Sequence, residues 1–179
     1  HSPTELEKFA LVRKGGGDLD QHMRNYLGEV LSMDDSIARL PGSTPAREAM
    51  LRQSLKYLNG LAIDAGKDPD FLRSLALAYE KFAELQIGVY GPGLGRSVEA
   101  LETCRKAQAI REDVAKVRPN DPAVQFELAK NYLLAGFITG RASTASQRKE
   151  YDQKALAIVQ KLVDVDSRNA AYRSALANA

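Results

Sequence analysis

The residues of this chain that could do chemistry are few, and their spacing limits what they can be. Gly88-Val89-Tyr90-Gly91-Pro92-Gly93-Leu94-Gly95 has the glycine density of a phosphate-cradling loop. A phosphate loop, however, follows a strand and ends in Lys-Ser/Thr, and this segment does neither. It reads as a Gly-Pro turn, and Gly15-Gly16-Gly17 reads as a hinge. Asp34-Asp35 and the Asp64/Asp68/Asp70 group offer carboxylates for acid–base work, but their expected positions at helix ends make them caps or dipole partners. His22 is the only histidine besides His1, so no pair exists for zinc or for a His-based triad. The single cysteine, Cys104, falls on an apolar helical stripe and reads as a small buried residue. Arg47, Arg52, Lys56 and the Arg105/Lys106/Arg111 group read as solvated faces. Protein-kinase signatures are missing: there is no His-Arg-Asp, Asp-Phe-Gly or Val-Ala-Ile-Lys. No catalytic, metal or cofactor residue is therefore expected, and the chain is expected not to be an enzyme.

The elements that would carry any site are helical. Of 179 residues, 44% are hydrophobic and 27% charged, the balance of an ordinary globular chain. A net charge of +2 gives no reason to expect nucleic acid or an anionic membrane as partner. No apolar run approaches the roughly 18 residues of a membrane span, so this stretch is expected not to insert into a bilayer. The chain begins at His1 without Met and is expected to be a fragment, His1–Ser2 being read as a cloning scar. Periodicity predicts a first helix from Ser2, interrupted at Gly15–Gly17, and a second from Asp18 with Met23, Tyr26, Leu27, Val30 and Leu31 on one side. Leu40-Pro41-Gly42-Ser43-Thr44-Pro45 then forces a turn, with Thr44 as cap of a helix running to about Ala65.

Two segments repeat from there. Asp68-Pro69-Asp70-Phe71-Leu72-Arg73-Ser74-Leu75-Ala76-Leu77-Ala78-Tyr79 aligns with Asp121-Pro122-Ala123-Val124-Gln125-Phe126-Glu127-Leu128-Ala129-Lys130-Asn131-Tyr132 at a spacing of about 53 residues. Asp caps the free amides, Pro stands where no donor is needed, and Leu-Ala sets a large residue beside a small one so that a partner helix can approach. A truncated third copy spans Ala171–Ala177. The facing helices are Ser97 to about Val117, with Ala100, Cys104 and Ala107, and Gln147 to about Val165, with Ala155, Val159 and Leu162. The pre-repeat helix presents Ser54, Tyr57, Leu58 and Leu61.

This large–small alternation resembles tetratricopeptide helix pairs. The resemblance implies an all-α, right-handed solenoid with pairs at about 68-117 and 121-165. A helix at 45-65 precedes them, a truncated one at 169-179 follows, and an N-terminal helical extension occupies 1-40. The standard period is about 34 residues, so each unit carries extra length: Ile87–Arg96 in the first and the polar Ile138–Ser146, expected to be a mobile connection, in the second. Counting from the Leu-Ala landmark puts Arg73, Leu77, Glu80 and Lys81 in the groove of the first pair, and Phe126, Lys130, Leu133 and Leu134 in that of the second. The groove side of each first helix can also be simply solvated, and the cluster Phe126/Leu133/Leu134 can be a ligand contact or a surface covered by the N-terminal helices.

LPGSTPARE (Leu40 to Glu48), LKYLNGLA (Leu55 to Ala62), DPDFLRSLALAYEKFAELQ (Asp68 to Gln86), the GVYGPGLG insert and VEALETCRKAQAIRE (Val98 to Glu112) resemble the tetratricopeptide tails of bacterial, acidobacterial-type serine/threonine protein kinases. The resemblance implies a region that follows a kinase domain and one membrane helix, lies on the extracytoplasmic side, and serves as a docking or sensor module for a protein or peptide. Self-association that brings parent chains together is the alternative, with a small-molecule sensor behind it. Tetratricopeptide clamps for chaperone C-termini use Lys and Asn; Arg73/Leu77 and Phe126/Lys130 stand at the corresponding positions and do not suit that ligand.

Overall fold

A computed structural model describes residues 7–8, 18–88, 95–142 and 145–179, the side chain of Asp64 excepted. Seven helices are delimited among the described residues, with no strand. They are α1 (Leu19–Ala38), α2 (Thr44–Asp64), α3 (Pro69–Ile87), α4 (Ser97–Val117), α5 (Pro122–Arg141), α6 (Ala145–Val165) and α7 (Ala170–Asn178). Of the helix expected from Ser2 only residues 7–8 are described, and they are helical; the Gly15–Gly17 hinge and residues 89–94 of the first insert lie outside the described residues. The chain divides into two compact units, His1–Leu94 and Gly95–Ala179.

In the first unit α1, α2 and α3 pack pairwise on one another. The caps follow the sequence signals. Asp18 accepts from the Gln21 amide to start α1, and Asp68 accepts from the Asp70 amide to start α3 behind Pro69. Helix α3 stops at Gly88, whose left-handed φ of 73° suits a residue without Cβ, and whose N–H reaches the Glu84 carbonyl. Most of the circumference of α3 is buried, with Phe71, Leu75, Ala76, Tyr79 and Phe82 fully covered. Met23, Leu27 and Val30 of α1 and Leu51, Leu58 and Leu61 of α2 complete the core. The Tyr26 and Tyr57 rings meet edge to face at 4.4 Å. His22 Nε2 lies 3.3 Å from the Tyr57 hydroxyl. Helix α2 begins at Thr44, one residue ahead of the expected position, and Ser43 occupies the cap position without a side-chain bond.

The second unit stacks α4, α5, α6 and α7 in order, and α5 also touches α7. Its inner residues are small where helices meet: Ala100, Cys104, Ala107, Ala129, Ala135, Ala155 and Val159 are all buried. Asp121 accepts from the Ala123 and Val124 amides, and Asn169 does the same for Ala171 and Tyr172. The repeat is thus visible in bonds. Tyr79 donates to Asn59 Oδ1 at 2.9 Å, and Tyr132, at the same register, donates to Glu112 Oε1 at 2.9 Å.

Three expectations are corrected. The connection expected over Ile138–Ser146 is in large part helix: α5 runs on to Arg141 and α6 starts at Ala145, with 143–144 outside the described residues. Buried Ile138 and Thr139 extend the helix inward, the Thr139 hydroxyl donating to the Ala135 carbonyl. Asp34 does not serve the helix dipole, since it sits in the C-terminal half of α1 where the dipole repels a carboxylate. It is there because Arg47, expected on a solvated face, is buried at 5% exposure and grips both carboxylate oxygens at 2.7 and 2.9 Å. Arg111 is likewise buried and paired with Glu127 at 2.6 Å. Arg52, Lys56, Arg105 and Lys106 are exposed, as their reading as solvated residues has it.

Removing one partner of a buried pair strands the other charge, which costs about 3–5 kcal/mol, whereas apolar replacement of both is often near neutral. Urea unfolding should show Arg47→Met losing about 3 kcal/mol or more, and the double variant Asp34→Leu/Arg47→Met recovering most of it. A further expectation concerns pH. Burial pushes the Tyr79 phenol from 10.0 up to about 12. The folded state therefore keeps a proton that the unfolded chain sheds, so the stabilisation is whole below pH 10 and is lost as pH rises to 12, on the order of 2 kcal/mol in all. Stability measured across this window should fall more steeply for the native chain than for Tyr79→Phe, whose curve lacks this component.

Candidate binding face

Three faces of α5 are occupied by its own unit. Toward α4, Asn131 Nδ2 approaches the Cys104 carbonyl at 3.5 Å, and Glu127 takes the Arg111 guanidinium. Tyr132 donates to Glu112, whose same oxygen accepts from Gln108 at 2.9 Å. Burial, and then the neighbouring Glu112 carboxylate, hold the Tyr132 phenol well above its ordinary range. Toward α6, Gly136 and Gly140 stand one turn apart. A Cβ on Gly136 would meet Asp152 Oδ1 at 2.6 Å and Tyr151 Cβ at 3.5 Å; one on Gly140 would meet Arg148 Cδ at 3.1 Å. The missing side chains let α6 lie close, and the two α6 residues that face the glycines, Arg148 and Asp152, pair with each other along that helix at 3.4 Å. Toward α7, Phe126 meets Tyr172 edge to face at 4.9 Å, and Phe126 and Leu133 pack on the Ala129/Val159/Ala175 cluster.

What remains outward is a stripe at helical spacing: Lys130, Leu134, Phe137 and Arg141. At 3.6 residues per turn these four lie roughly opposite Tyr132. Lys130 and Arg141 are exposed, Leu134 is half-buried, and Phe137 is 44% exposed although it is a large aromatic. Each cation stands over a ring, Lys130 Nζ at 5.0 Å from the Phe126 centroid and Arg141 Cζ at 5.8 Å from that of Phe137. The same register in α3 carries Leu77, Lys81, Glu84 and Gly88, where Lys81 and Glu84 neutralise each other at 2.9 Å.

The expected groove residues thus divide. Lys130 and Leu134 belong to the outward stripe. Phe126 and Leu133 are packed beneath α7, the C-terminal helix of the same unit. In the first unit Arg73 is tied to Asp70 at 3.5 Å, Glu80 is buried at 9% exposure, and Leu77 is borderline exposed between paired charges. Arg141 is missing from the expected groove because the insert is placed from Ile138 on, and Phe137 because the groove set stops at Leu134, one turn short of it; the recurrence of an aromatic four residues before a cation, Phe126-Lys130 and Phe137-Arg141, is the signal for both. Cys104 is buried and its carbonyl and sulfur face Asn131. No group of three or more His, Cys, Asp or Glu suited to a metal occurs among the described residues. No protein-family model, curated protein or solved structure matches the chain.

The glycines that bring α6 up to α5 define the next test. Alanine at Gly136 needs only the tip of Asp152 to turn away, and the helix gains about 1 kcal/mol in propensity. A larger side chain must displace the Tyr151 region of α6, a cost of about 1–3 kcal/mol. Thermal unfolding should place Gly136→Ala near the native chain and Gly136→Leu clearly below it.

Proposed function

We propose that the chain is a protein-interaction module without catalysis of its own, a tetratricopeptide-type solenoid that holds a peptide segment along the outward stripe of α5. The observation that carries this reading is Phe137, an exposed aromatic ring set between Leu134 and Arg141 on a helix whose other faces are filled. Exposed aromatics flanked by cations are the residue types on which binding energy concentrates at protein interfaces. The recurrence of the Asp cap and the tyrosine bond at one register in both units supports a repeat of the helical-hairpin kind. The likeness of Leu40 to Glu112 to the tails of bacterial serine/threonine kinases supports a place for this module on the extracytoplasmic side, where it would dock or sense a protein partner for the parent enzyme.

An array of immobilised peptides probed with the labelled chain tests the face. Leu134→Ala/Phe137→Ala should weaken retention about tenfold or more, as truncation of a central anchor does. Lys161→Ala, on the exposed side of α6, should change nothing. Equal retention by the double variant and the native chain would discard the face as the site. Sedimentation separates the second reading: a dimer that dissociates in the same double variant would make the stripe a self-association surface.

A further inference from the structure

The stripe on α5 is not only exposed but electrically unbalanced. Among the described residues neither Lys130 nor Arg141 has a carboxylate partner, each being held over a phenylalanine ring instead. The nearest acid on the helix, Glu127, is committed to Arg111. An aromatic face orients a cation but leaves its charge uncompensated, and a ring cannot accept the cation's N–H bonds as a carboxylate can. Between the two cations lie only Leu134 and Phe137. At a rise of 1.5 Å per residue, the α-carbons of Lys130 and Arg141 are about 16 Å apart along the axis. The order along the stripe is therefore cation, apolar, apolar, cation.

We propose that the occupant of this face is an acidic peptide segment with a central apolar pair and a carboxylate at each end, the two carboxylates spaced by about 16 Å. This inference rests on the reading of the α5 stripe as a peptide-binding face, and it adds the chemistry of the partner. The spacing corresponds to acids about eleven residues apart on a helical segment or about five apart on an extended one. The equivalent stripe of α3 does not share this preference, because Lys81 is already paired with Glu84 and Arg73 with Asp70.

Selection of phage-displayed random peptides on the full chain tests it. The expected consensus has Asp or Glu on both sides of an apolar pair. Its binding should weaken as salt is raised and fall about tenfold for each of Lys130→Glu and Arg141→Glu. Circular dichroism should show these surface variants folded, and each single neutralisation, Lys130→Gln or Arg141→Gln, should lie between its own Glu variant and the native chain. A basic or uncharged consensus that is lost in Leu134→Ala/Phe137→Ala would overturn the acidic partner while leaving the face in place. Selected peptides that bind every α5 variant as well as the native chain, or a selection without enrichment, would overturn the face and the inference together.

Discussion

The tyrosine hydroxyl that ties each Asp-Pro helix to the helix before it is the constraint from which the rest of the arrangement follows. Asp68 and Asp121 fix where α3 and α5 begin, and eleven residues on, Tyr79 and Tyr132 reach back to Asn59 and Glu112. A buried phenol without a partner carries the full cost of its lost hydration, so a rotated helix would strand its hydroxyl. Start point and tyrosine together set the rotational phase of the helix, and phase decides which side chains face outward. On α5 the side opposite Tyr132 is the one that carries Lys130, Leu134, Phe137 and Arg141.

A shared register does not mean shared contents. Leu58 and Ser74 in the first unit stand where Arg111 and Glu127 stand in the second. Leu58 is fully buried and Ser74 hydrogen-bonds to Asp20 of α1, while Arg111 and Glu127 close an ion pair across α4 and α5. Each unit has its own cross-helix charge, Asp34–Arg47 in one and Arg111–Glu127 in the other. A buried pair contributes little net stability over apolar packing but tolerates little sliding. Each pair joins two neighbouring helices of its unit, α1 to α2 in one and α4 to α5 in the other.

Where the sequence was legible, it was through local rules. Asp18, Asp68 and Asp121 announce helix starts because a cap is decided within four residues, and Ala100, Cys104, Ala107, Ala155, Val159 and Leu162 announce buried faces because helical period is local too. The failures share a cause. Arg47 and Arg111 looked solvated because their partners are 13 and 16 positions away on other helices, and nothing in their own neighbourhoods marks them as buried. The polar look of Thr139-Gly140-Arg141 concealed a helix, since a threonine can satisfy its hydroxyl on the preceding turn and a glycine can be required by a neighbouring helix. Much of the candidate face is readable for the same reason: Lys130, Leu134 and Phe137 follow from phase, but Arg141 depends on a helix end that only packing fixes.

On the face proposed here for a ligand, each cation is already oriented by an aromatic ring. A free Lys or Arg side chain loses on the order of 2 kcal/mol of rotamer freedom when it is fixed. Over Phe126 and Phe137 part of that freedom is already gone before anything binds. Phe126 is itself held by Tyr172 and the Ala129/Val159/Ala175 cluster, so the ring beneath Lys130 is anchored from below. The packing of α7 thus reaches the outer surface through one aromatic ring. Lowering the ordering cost of the contacting groups raises affinity without adding a contact. The short C-terminal helix contributes none of the four residues of the stripe, yet it supports the proposed face through Phe126.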